Sequence, residues 1–119
     1  MNAITLKNLW STITHDTTAL LRQQVSLTPI TAKASARRIL DPLQTDVAAW
    51  HDEVTDGKAT REEFAQRLVA RTKEAAGNGL AAMGLPRSRR NKLIKSIHDI
   101  VVPRFTATLE PAASASPTA

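Results

Sequence analysis

Arg87, Ser88, Arg89, Arg90, Lys92 and Lys95 crowd one short stretch of this chain. Guanidinium and ammonium groups at that density suit phosphates or carboxylates, and a hydroxyl adds a neutral donor. Between residues 87 and 104 there are six Lys and Arg, counting Arg104, against Asp99 alone; the remainder balances ten cations with ten anions. The whole net charge of +5 therefore lies in that segment. If the segment is a helix, its early cations oppose the macrodipole by about 0.3–1 kcal/mol each. An arrangement that works against local stability points to an anionic partner, with DNA or RNA first. The same cations also suffice to solvate an ordinary helix face.

Other residue types that carry chemistry do not converge. Each histidine precedes an aspartate, as His15-Asp16, His51-Asp52 and His98-Asp99, but adjacent helical positions diverge by about 100°. There is no His pair at i,i+4 and no cysteine, so no metal site is expected. Asp52-Glu53 and Glu62-Glu63 suit solubility and helix capping better than acid–base work, which needs a sheltered pocket. Gly77-Asn78-Gly79 lacks the Gly-Lys-Ser/Thr ending of a phosphate loop. No enzymatic activity and no cofactor are expected.

The elements that would position the basic stretch are helical. Leu6, Leu9, Trp10, Ile13, Thr17, Leu20 and Leu21 recur at helical steps and predict a helix over residues 5–24. Residues 26–29 read as a break, because Pro29 disfavours helix at Thr28. A short helix over 31–40 should end at Asp41-Pro42, where Asp and Pro suit a new start. The next helix carries Leu43, Val47, Trp50 and Val54 inward and stops at Asp56-Gly57. Thr60-Arg61-Glu62-Glu63 matches a capping box, and Phe64, Leu68, Thr72, Ala75 and Ala76 follow on one face. These two helices, joined through residues 55–59, should fold back on each other. Gly77-Asn78-Gly79 either ends that helix or weakens it as far as Gly84, and Gly84-Leu85-Pro86 is a stop. The last helix covers 87–109 with Leu93, Ile94, Ile97, Ile100, Val101 and Phe105 inward, and Pro103 should kink or end it. Arg89, Lys92, Lys95 and Ser96 fall opposite that apolar face; Arg87 and Arg90 fall on it and must overhang the end of the core.

The run from Leu80 through Gly84-Leu85-Pro86 to Ile94 resembles the helix-turn-helix of winged bacterial regulators. That resemblance implies a turn at Gly84 and a recognition helix whose residues 88–95 face the major groove. It departs from the pattern at Leu80, where a small residue is usual, and at Arg90, where an apolar one is. A bundle turn that uses Gly-Leu-Pro fits the same residues.

The expected fold is all-α: a small antiparallel bundle of four to five helices in one domain, residues 1–109. Residues 110–119, rich in Ala, Ser and Pro, are expected to be a flexible tail. The first residues do not read as a secretory signal, no run is long enough to span a membrane, and a cytoplasmic protein is expected. The leading function is a non-enzymatic binding protein that engages nucleic acid through the basic stretch. The competing class is a protein–protein adaptor or assembly component, homodimeric if the wide apolar stripe of the first helix packs on a second copy.

Overall fold

The computed structural model describes the backbone of residues 3–109 and the side chains of residues 6–107; the expected flexible tail at 110–119 lies outside the described residues. Four helices account for nearly all of that span: α1 (Ala3–Val25), α2 (Pro29–Thr55), α3 (Arg61–Ala82) and α4 (Arg87–Leu109). No strand occurs among the described residues. Helices α1 and α3 do not pack on each other, nor do α2 and α4; each helix packs on its two other neighbours. The described residues extend 47 × 25 × 25 Å, and a 27-residue helix such as α2 spans about 40 Å of that.

The core follows the helical stripes. Trp10, Ile13 and Leu21 of α1 meet Ile39, Leu40, Leu43 and Val47 of α2, Phe64, Leu68 and Leu80 of α3, and Leu93, Ile97, Val101 and Phe105 of α4 in one buried cluster. The Trp10 and Phe105 rings lie 4.9 Å apart at a 50° tilt, a favourable aromatic arrangement. The stripe of α1 is consumed inside the chain, with Ile13 and Leu21 at 0% exposure. Thr17 and Thr72 are also fully buried, and neither hydroxyl has a hydrogen-bond partner. Each orphaned hydroxyl costs about 1–3 kcal/mol, which the surrounding apolar contacts must outweigh.

The expected start at Thr60 is present in full. Its hydroxyl accepts the Glu63 N–H at 3.0 Å, and its own N–H donates to Glu63 Oε1 at 2.8 Å. The Thr60 N–H holds the Glu63 carboxyl below its ordinary pKa, and the hydroxyl adds to this. The folded state prefers the ionised acid, so this contribution is present above the ordinary glutamate range and fades as pH falls. Thr28 caps α2 in the same way, accepting the Thr31 N–H at 3.3 Å with Pro29 in the first turn.

The expected break at Pro42 and an end of α4 at Pro103 are absent, and at a third place, where the sequence left a helix end or its continuation open, the helix continues. The helices expected over 31–40 and from 43 onward are one helix, with Pro42 inside it. Pro42 forfeits one backbone hydrogen bond. It is exposed, while Ala32, Ala36, Ile39, Leu40, Leu43, Val47 and His51 keep one unbroken buried stripe across it. Breaking the helix there would turn half of that stripe away from the core. Pro103 is likewise exposed inside α4, between buried Val101, Val102 and Phe105.

The third is Gly77-Asn78-Gly79, through which α3 runs on to Ala82. A β-carbon at position 79 would run into Ile39 Cγ1 of α2, so this glycine lets two helices approach closely. At Gly77 a β-carbon would meet only Ile94 Cδ1 at 3.7 Å, ordinary contact. The two glycines should therefore respond with opposite signs. Gly79→Ala should destabilise the protein by about 1–3 kcal/mol through overpacking. Gly77→Ala should stabilise it by about 0.5–1 kcal/mol by removing backbone freedom from the unfolded chain. Denaturant midpoints for the two variants check this; a shift of the same sign in both would contradict the close approach.

Candidate nucleic-acid interface

The link from α3 to α4 closes on Gly84, whose φ of +75° is the left-handed conformation a helix end favours. Leu85 and Pro86 follow, and α4 begins at Arg87. The local order of helix, turn and helix matches the regulator-like pattern. Beyond the turn the two helices stay in contact: a β-carbon at Gly77 would meet Ile94, and Lys73 shares a groove with Ile94, Lys95 and His98. A helix-turn-helix pair crosses at about 90–120° and would part within a turn or two. The helix before the turn is 22 residues long and belongs wholly to the bundle.

The six expected site residues divide into two groups. Two of them do structural work. Arg89 donates through a guanidinium N–H to the Gln24 carbonyl in the last turn of α1, 65 residues away in the chain. A cation there suits the negative end of α1, so Arg89 is less a burden on the α4 dipole than the sequence suggests. Arg90 is half-buried and donates from Nη1 to the Leu85 carbonyl at 2.9 Å, bracing the turn from the apolar side.

The others remain available. Arg87, Lys92 and Lys95 are exposed and, among the described residues, have no hydrogen-bonded or ion-paired partner. Ser88 is exposed beside them. Ser88, Arg89, Lys92 and Ser96 line a groove between α4 and α1 with Leu20 and Gln24. Lys95 lies on the other flank with Asn91, His98, Asp99 and Lys73 of α3. The face expected to hold Arg89, Lys92 and Lys95 together is thus a ridge between two grooves. Arg104, at the far end of α4, is paired with Asp16 of α1.

The contact from Arg89 to Gln24 brings the α1–α2 link beside the α3–α4 link. Two spans poor in acids adjoin that contact along the chain. Residues 17–40 hold Arg22, Lys33, Arg37 and Arg38 with no carboxylate, and residues 72–98 hold six more cations with Glu74 alone. All ten are exposed apart from half-buried Arg90. Sequence reasoning did not single out Arg22, Lys33, Arg37, Arg38 and Lys73, although a stretch of 24 residues without an acid was a visible signal.

The carboxylates gather elsewhere, where they pair. Arg67 meets Glu53 at 3.0 Å, and Arg71 bridges Asp46 at 2.9 Å and Glu74 at 2.7 Å. The histidines stay apart. His15 is exposed, and His51 is buried, which lowers the pKa of its imidazole against the opposing pull of Asp52. His98 Nδ1 reaches Asp99 Oδ1 at 3.1 Å, so these neighbours do bend together despite their divergent directions. Among the described residues no three His, Asp or Glu side chains converge as metal ligands would, and no helix is long and apolar enough to cross a membrane.

Comparisons of the chain with protein families, curated proteins and solved structures gave no match.

The division of labour along α4 is open to a direct check. Arg89→Gln should lower stability by up to about 1 kcal/mol through loss of the α1 contact. Lys92→Gln, one turn on, should stay within about 0.5 kcal/mol of the parent. Thermal or denaturant unfolding of the two variants decides it; equal stabilities would mean that Arg89 holds nothing.

Proposed function

We propose that this chain is a non-enzymatic, cytoplasmic binding protein whose basic end engages an acidic partner, nucleic acid first. Its four helices are taken as an antiparallel bundle, with the ends of α1 and α3 beside the starts of α2 and α4. The observation that carries the proposal is the ten cations of residues 17–40 and 72–98, against Glu74 within those spans and Asp41 and Asp99 at their edges, with Arg87, Lys92 and Lys95 unpartnered among the described residues. Arg67, Arg71 and Arg104, by contrast, each have a carboxylate beside them. Free cations concentrated on one surface raise the local concentration of a polyanion and release its counterions on contact.

Arg87, Lys92 and Lys95 would make the phosphate contacts, with Ser88 as a neutral donor. Arg89 and Arg90 would hold the ridge in place. Contacts of this kind position a protein on nucleic acid without reading its bases.

The adaptor or self-assembly alternative draws on Ile30, which stands 85% exposed at the start of α2. A single apolar side chain offers far less area than the several hundred Å2 typical of a docking patch. Apolar docking would also be insensitive to salt.

The clean variant is R87Q/K92Q/K95Q, since none of the three supports the fold. It should unfold at the parent's midpoint or slightly above, because it removes cations from the α4 N-terminus. Its affinity for a labelled DNA duplex in about 50 mM salt should fall at least about tenfold. Lys58→Gln, in the link between α2 and α3, should leave affinity near the parent's. Unchanged binding by the triple variant, measured by fluorescence anisotropy, would remove nucleic acid from this surface.

A further inference from the structure

One groove does not touch α4. It runs between α1 and α2, encloses ≈ 610 Å3, and draws its walls from two facing rows of side chains. On α1 the row is Lys7, Ser11, Thr14 and Thr18, with His15 beside it; on α2 it is Lys33, Arg37, Asp41 and Gln44. Steps of three and four residues place each row along one line of its helix, so the rows oppose each other over several turns. Trp10 forms part of the floor while its ring packs on Phe105.

The lining is chemically one-sided. Lys7, Lys33 and Arg37 donate only, and among the described residues none has a hydrogen-bonded or ion-paired partner. The Thr18 hydroxyl is engaged with the Thr14 carbonyl at 2.7 Å, but those of Ser11 and Thr14 remain available. Against these stands one acceptor-only group, Asp41. Three cations with hydroxyl donors between them match an anion that carries several charged oxygens. The groove's width suits a small ligand and not a folded partner.

We infer that the α1/α2 groove, defined by Lys7, Lys33, Arg37, Ser11 and Thr14, is a second anion site that takes a condensed phosphate or a phosphorylated small molecule. It lies on the opposite flank of α1 from the α4 surface and does not depend on that surface binding nucleic acid. The cations set the affinity, and Asp41 limits it by repelling the same charge.

Inorganic triphosphate is the probe. Calorimetric titration of the full chain in about 50 mM salt should give saturable binding, and Trp10 in a Trp50→Phe background should report it by fluorescence. K33Q/R37Q should weaken binding by about three- to tenfold, and Asp41→Asn should strengthen it by about two- to fivefold. R87Q/K92Q/K95Q should leave it unchanged. The altered charged side chains are all exposed, so folding is not at risk from them; Trp50 is half-buried against the core, and the calorimetric arm, run without that change, stands independently of it. Competition with duplex DNA names the source of the phosphate. Displacement of triphosphate assigns the groove to a nucleic-acid backbone, and coexistence assigns it to a free ligand. Absence of saturable heat for the unaltered chain, an effect of the α4 triple as large as that of K33Q/R37Q, or weaker binding by Asp41→Asn would each overturn the site.

Discussion

Helix α2 stays helical through Pro42 because of what it buries on either side, and the remaining architecture depends on that continuity. Ile39, Leu40, Leu43 and Val47 are each at or below 1% exposure, in the core that α2 shares with its neighbours α1 and α3. Burying such side chains contributes about 1.5–3 kcal/mol apiece. A proline in a helix interior costs about 3 kcal/mol. Two buried residues suffice to offset the proline, and α2 has more than two. A bend at Pro42 would also part Lys33 and Arg37 from Asp41 and Gln44, which line one groove only while α2 is unbroken.

Charge is distributed by the same logic. The helices leave their solvent faces free in composition, and this chain segregates them. Carboxylates from α2 and α3 sit among arginines that neutralise them, as Asp46 and Glu53 do with Arg71 and Arg67. Among the described residues Arg87, Lys92 and Lys95 have no ion-paired partner. Arg89 instead donates to the Gln24 carbonyl. Such a surface tolerates its own charge in the folded state while remaining open to polyanions.

Much of this was legible in the residues themselves. Stripes at helical spacing identified the inward positions of α1 and α4, and the Thr60–Glu63 motif fixed the start of α3, because both signals are local. Pro42 and Pro103 misled, and Gly77-Asn78-Gly79 left the course of α3 open, for the converse reason: each is a genuine local breaker overruled by packing partners elsewhere in the chain. The need for Gly79 arises only from Ile39, and the role of Arg89 only from Gln24. The basic stretch at 87–95 was visible as composition, but its enlargement by Arg22, Lys33, Arg37 and Arg38 required knowing which helix ends meet. The groove between α1 and α2 was invisible for the same reason.

The central claim is that this clustered, unpartnered charge binds phosphate by counterion release. The salt dependence of duplex DNA affinity tests it most directly, with the unaltered chain titrated between about 50 and 200 mM monovalent salt. Three phosphate contacts, from Arg87, Lys92 and Lys95, predict a slope of log affinity against log salt of about −2.7 or steeper. A slope near zero, or no measurable binding at the lowest salt, would contradict it.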